Sequence, residues 1–184
     1  PLCYGGGITN AEQALRIVDM GVEKVAVSSA AIANPNLITQ ISNAVGSQSV
    51  VAVLDIRKKN SFFSKGYEVV THNARKVFNQ NYLEIALKLQ DSGIGELVIN
   101  SVDRDGSLEG YDLPLINEIY KKIDIPMTVL GGAGSEEHLK QLFLDFGIVG
   151  AAAGSLFVFK GKFRAVLINY PTPERKQSLY DHKK

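Results

Sequence analysis

Apolar residues along this chain recur at two periods that take turns. Short β-branched runs at positions 24–28, 49–54, 96–101, 126–130 and 148–153 read as strands. Between them lie stretches whose apolar residues return every three or four positions, at 10–20, 36–44, 81–92, 113–122 and 136–146, and these read as helices. Gly21 and Gly93 follow two of them as stop signals. The run SVVAVL at 49–54 is almost wholly apolar, as expected of a strand buried on both faces, and it ends at Asp55. A further strand end occupies 2–4. Only 56–80 breaks the rhythm: Phe62-Phe63 and 67–71, separated by Ser64-Lys65-Gly66, read as a small excursion hairpin.

Strands alternating with helices imply βα units around a parallel sheet. Small or polar residues at nearly every strand's C-terminal end point to a (β/α)8 TIM barrel, an α/β fold. Six units are visible where a complete barrel of about 250 residues has eight. The chain also opens inside a strand, so the expectation is an incomplete barrel whose first two units precede Pro1. Residues 1–160 would supply units three to eight of a single partial domain, and 161–184 a C-terminal helix or tail. A doubly wound open sheet is the alternative, with a single phosphate site at its switch point.

A second pattern runs across the first. CYGGGITNAEQALRIVDMGVEKVAVSSAAI (3–32) and VLGGAGSEEHLKQLFLDFGIVGAAAGSLF (129–157) repeat one another: strand end, glycines, amphipathic helix, strand, small hydroxyl residue. Glycines after a strand let the backbone approach a ligand closely, and backbone amides at a helix start favour an anion. Gly6-Gly7 with Ser28-Ser29, and Gly131-Gly132 with Gly154-Ser155, therefore form two candidate phosphate cradles, with Asp105-Gly106 bordering the second. The plainer alternative is that these glycines only make tight βα turns.

Asp55 is the candidate catalytic residue, a carboxylate at the C-terminal end of a buried strand and able to act as general acid or base; a capping role is the alternative. Lys24 shares strand parity with Ser28, and Glu96 with Asn100, so both charges point inward at the opposite mouth. They form either a gate or a satisfied ion pair. Asp103 and Asp105 fit structural turn roles.

The chain has 184 residues, 45% of them hydrophobic, and a formal net charge of +1. That balance argues against nucleic acid or membrane as partner. Cys3 is the only cysteine, which excludes an internal disulfide and fits the cytoplasm. His72, His138 and His182 are scattered, and neither a dinucleotide fingerprint nor a P-loop is present. Neither a metal nor a cofactor is expected.

PLCYGGGI, GSQSVVAVLD, NSVDRDGSLEGYDL and GGAGSEEHL closely resemble the cyclase subunits of imidazole glycerol phosphate synthase, to about Phe159. The resemblance implies a (β/α)8 half-barrel repeat that takes ammonia from a glutaminase (glutamine amidotransferase) subunit at the N-terminal face. It also implies a substrate phosphorylated at both ends, converted to imidazole glycerol phosphate and AICAR. Asp55 matches the family's fifth-strand aspartate; the first-strand aspartate would precede Pro1. Lys24 and Glu96 match the ring through which ammonia enters. Ser28, Asn100 and Leu130 stand where the family usually has asparagine, threonine and serine. GSLFVFKGKFRAVLINYP is more similar to a paralogous group tied to amidation of surface-polysaccharide sugars. The histidine-pathway cyclase is the first expectation, and the paralogue the second.

Overall fold

A computed structural model describes residues 1–59, 65–161 and 163–180. Phe62, Phe63 and His182 lie outside the described residues. Ten strands occur among the described residues: β1 (Cys3–Gly5), β2 (Lys24–Val27), β3 (Val50–Lys58), β4 (Tyr67–Thr71), β5 (Lys76–Phe78), β6 (Glu96–Ser101), β7 (Met127–Leu130), β8 (Gly150–Ala151), β9 (Phe159–Lys160) and β10 (Ala165–Val166). The α-helices are α1 (Ala11–Asp19), α2 (Ser29–Ala33), α3 (Asn36–Val45), α4 (Tyr82–Asp91), α5 (Leu113–Tyr120), α6 (Glu136–Phe146), α7 (Ser155–Val158) and α8 (Pro173–Ser178).

Six strands form one parallel sheet in the order β1-β2-β3-β6-β7-β8, with a helix after each of the first five. The sheet curls as a half-barrel, the architecture of an incomplete (β/α)8 barrel, and among the described residues β1 and β8 are its open edges. Alternation along the strands sorts side chains between its two faces. Val25, Val27, Ala52, Leu54, Ile56, Leu97, Ile99, Met127 and Val129 are buried in the core beneath the helices. Lys24, Ala26, Ser28, Val53, Asp55, Glu96, Val98, Asn100, Thr128 and Leu130 take the other parity and are half-buried on the concave face. Truncating a fully buried side chain such as Leu54 or Ile99 to alanine costs about 2–5 kcal/mol.

Local signals set the helix ends. Asn10 caps α1, its Oδ1 accepting from the Gln13 amide at 2.9 Å, while Gln13 Oε1 accepts from the Thr9 amide at 2.8 Å. Asp112 caps α5, with Pro114 in its first turn.

The excursion differs from the expected hairpin in its pairing. The described partner of β4 is the far end of β3 itself, which runs past Asp55 and pairs antiparallel from Asp55↔Val70 to Lys58↔Tyr67. β5 then pairs with β4. Since β2 accompanies β3 only as far as Ala52, the ribbon β4-β5 takes over that side of β3 and stands above the end of β2.

Candidate functional site

Every residue singled out for binding or catalysis lies at one edge of the sheet, where the parallel strands end. Gly6-Gly7 follow β1 and Ser28-Ser29 follow β2; Asp55 lies near the end of β3 and Asn100 near the end of β6. Asp105-Gly106 follow β6, Gly131-Gly132 follow β7, and Gly154-Ser155 follow β8. The two glycine clusters thus flank a central pair.

At the centre, Asp55 and Asn100 are register partners, and Asn100 Nδ2 donates to Asp55 Oδ1 at 2.8 Å. That bond fixes the carboxylate and leaves Oδ2 without a donor among the described residues. Asn100 Oδ1 is buried with no hydrogen-bond partner, an arrangement costing about 1–3 kcal/mol that a ligand donor would relieve. A carboxylate with one oxygen anchored and one open is fit to move a proton.

On one side, Gly6, Gly7, Ser28 and Ser29 line a cavity of about 600 Å³. Gly6 and Gly7 have φ of 122° and 72°, and open space lies where a Cβ would stand. Ser28 Oγ is buried there without a partner. His72 and Asn73, from the turn between β4 and β5, line the same cavity. Sequence reading missed both, because period-two patterning shows that a ribbon exists but not where it leans.

On the other side the glycines are packed differently. Gly131 and Gly132 are buried, and a Cβ would overlap the carbonyls of Ser101 and Gly110 respectively. The Gly132 carbonyl accepts from the Gly110 amide at 2.8 Å. Gly106 faces Ser155: a Cβ on Gly106 would stand 3.7 Å from Ser155 Oγ and 4.0 Å from Arg164 Nη2. Asp105 is exposed beside it. Arg164, in the turn between β9 and β10 and stacked over the Phe159 ring at 5.0 Å, was also missed. Its only signal was a cation that follows Lys160 and Lys162 at the start of the tail's apolar run.

Two polar groups tie the end of β3 and the start of β4 to this side. The Lys58 amide donates to Asp103 Oδ2 at 2.6 Å, and Tyr67 OH donates to Asp112 Oδ1 at 2.9 Å. Asp112 is buried and lies 3.9 Å from the Arg104 guanidinium, which donates in turn to the Gly110 carbonyl. Burial and the bond to Asp112 push the Tyr67 hydroxyl up to about 12. Asp103 therefore anchors the turn, in keeping with the structural role read from its sequence context.

At the opposite mouth, Lys24 Nζ meets Glu96 Oε2 at 2.7 Å, and Thr128 Oγ1 donates to Glu96 Oε1 at 2.7 Å. The parity argument is thus realised as a closed ion pair, to which Thr128 is an unforeseen third member. Burial opposes ionisation of Glu96, but the bonds from Lys24 and Thr128 outweigh it and hold the carboxyl below its usual range. The bond to Glu96 raises Lys24, against its own desolvation.

Among the described residues no three His, Cys, Asp or Glu side chains gather as metal ligands, and no helix is long and apolar enough to cross a membrane. His138 is occupied in accepting from the Gly134 amide at 3.1 Å.

Comparison with known proteins follows the same lines. Residues 1–164 match the family described as histidine biosynthesis protein. A Leptospira borgpetersenii protein, provisionally named imidazole glycerol phosphate synthase subunit HisF, is 48% identical over 180 residues, covering 98% of this chain and 70% of that one. A Pseudomonas aeruginosa protein, provisionally named as the same subunit and numbered hisF2, is 44% identical over 171 residues, 93% of this chain and 67% of that one. The imidazole glycerol phosphate synthase subunit HisF of Chlorobium phaeovibrioides is 39% identical over 181 residues, 98% of this chain and 67% of that one.

Proposed function

The chain belongs to the histidine biosynthesis protein family, and from that premise we propose that it is the barrel subunit of an ammonia-using synthase. In this reading it acts as the cyclase that forms imidazole glycerol phosphate and AICAR. The observation that carries the reading is the Asp55–Asn100 pair set midway between two glycine clusters on one sheet edge. A substrate phosphorylated at both ends would lie across that edge. One phosphate would meet Gly6, Gly7, Ser28 and Ser29, and the other Asp105-Gly106, Gly131-Gly132 and Gly154-Ser155. Its reacting middle would then rest over Asp55 Oδ2.

Ring closure needs ammonia added and protons moved. Asp55 serves as general acid or base, held by Asn100 in one orientation. Ammonia comes from a glutaminase subunit docked at the N-terminal face, and the Lys24–Glu96 pair is the gate it passes. The pair is shut in this conformation, so passage requires the 2.7 Å contact to open.

Assay of the full-length protein with ammonia and the bisphosphorylated substrate tests the reading. Turnover that Asp55→Asn lowers at least about a hundredfold is expected; no turnover, or turnover indifferent to that change, overturns it.

One observation favours a second reading. Relatives provisionally named and in part numbered as extra copies reach 44–48% identity, whereas those named HisF without qualification reach 39–41%. Together with Leu130 and the tail, this supports an amidotransferase-coupled barrel that delivers ammonia to surface-polysaccharide sugars. Growth of a histidine-requiring strain on the full-length gene separates the two: rescue supports the cyclase, and failure with a stable protein favours the paralogue.

A further inference from the structure

The ribbon β4-β5 does more than wall one side of Asp55. Because it stands where β2 leaves off, its inner turn descends onto the cavity at Gly6, Gly7 and Ser28. His72, Asn73 and Ala74 there have φ of 55°, 57° and 61° in succession. Each such left-handed residue costs about 1–2 kcal/mol when it is not glycine, though less for asparagine. Three in a row persist only where surrounding contacts hold them. Two contacts do so. The His72 amide donates to Ser29 Oγ at 3.2 Å, and buried Thr71 places its Oγ1 3.0 Å from His72 Nδ1. With Nδ1 engaged, Nε2 is the ring nitrogen left free among the described residues, on a residue lining the same cavity as Ser28, whose buried Oγ has no partner.

We propose that His72 is an anion ligand of this cavity, its imidazole giving the first cradle a side-chain donor toward a phosphate monoester. The inference rests on the reading of the cavity as the seat of one substrate phosphate. Gly6 and Gly7 supply backbone amides; His72 supplies a side-chain ring N–H donor toward an ionised phosphate oxygen. Charged hydrogen bonds are shorter and stronger than neutral ones, so the imidazole would set how tightly the first end is gripped. Its placement by the ribbon also means that the grip depends on an element outside the βα repeat. The duplicated sequence pattern alone therefore could not reveal it.

Inorganic phosphate is the probe, added to the full-length protein while the imidazole nitrogens of His72, His138 and His182 are followed by nitrogen NMR. A saturable displacement of the His72 signal, with His138 unmoved, is expected. His72→Asn suits the left-handed backbone and removes only the imidazole. It should weaken first-cradle phosphate binding roughly tenfold at an unchanged melting temperature, and His72→Lys should recover part of the loss. If wild-type protein takes up phosphate at Gly6-Gly7 but the His72 signal stays still, or if His72→Asn binds as the parent does, the ligand role is wrong and the cradle reading stands. If Gly7→Val has no effect on phosphate uptake, or there is no uptake, the cradle reading falls and the ligand role falls with it.

Discussion

Gly6-Gly7 and Gly131-Gly132 are written alike and follow β1 and β7 of one sheet, yet their surroundings differ. Around the first pair there is open space and a cavity of about 600 Å³. Around the second pair the backbone of Ser101 and Gly110 fills the place of a side chain. The first glycines keep room for something else; the second let three loops of the protein close on one another. A repeated motif thus reports a repeated backbone path, and only the surroundings say whether a ligand or the chain itself requires it. Packing requires glycine at Gly131-Gly132, whereas at Gly6-Gly7 the place of a side chain stands empty.

Substitution should separate these roles cleanly. Gly132→Ala adds a clash with the Gly110 carbonyl to an unfavourable φ of 108°, so a loss of about 3 kcal/mol or more, or failure to fold, is expected in urea unfolding. Gly7→Ala meets only the backbone term at φ 72°, about 1–2 kcal/mol, and should fold while losing phosphate binding at the first cradle. Equal destabilisation by the two would erase the distinction.

The ion pair at the lower mouth is next in size. Glu96→Gln should cost about 1–2 kcal/mol near neutral pH, between the values for exposed and buried pairs. The sign follows from the two shifts. Glu96 is lowered on folding from 4.5, so its contribution is full above that value and fades as pH falls through its folded value. Lys24 is raised from 10.5, so its contribution is full below that value and fades as pH rises through its folded value. The stability difference between parent and variant should therefore be flat from about pH 5.5 to 9.5 and shrink in acid. A difference that grows in acid would contradict the pairing.

The smallest effect is the sharpest. Ser28 Oγ is buried without a partner, so Ser28→Ala should leave stability unchanged or raise it by up to about 1 kcal/mol. At the same time it should weaken phosphate binding. A clear loss of stability in the ligand-free protein would show that the hydroxyl already serves the fold.

Much of the scaffold was readable from periodicity. α6 occupies the residues its apolar spacing marks, and Gly147 ends it with its amide bonded back to the Phe143 carbonyl. Lys24 and Glu96 meet as strand parity demands, since a side-chain period of two leaves no choice of face. The extent of β3 was not readable. Arg57 and Lys58 are polar and carry no strand signal, and they are extended only because β4 returns alongside, with Glu68 bonded to Arg57 at 2.7 Å. For the same reason the turn at His72 could not be placed: its position depends on pairing across the chain. Asn100 could be assigned to the concave face, but its bond to Asp55 depends on the register between β3 and β6, which pattern alone leaves free. The strand expected at 148–153 shrinks to Gly150–Ala151, where a Cβ on Gly150 would overlap Thr128.

The ribbon is pinned at both ends. Its outer end is fastened through Tyr67 to the loop bearing Asp112, and its inner turn through the His72 amide to Ser29. The segment from Tyr67 to His72 therefore spans from the neighbourhood of one glycine cluster to the other. On the proposed function, that length acts as a gauge block between them: a doubly phosphorylated guest would be measured end to end before any of its atoms reached Asp55.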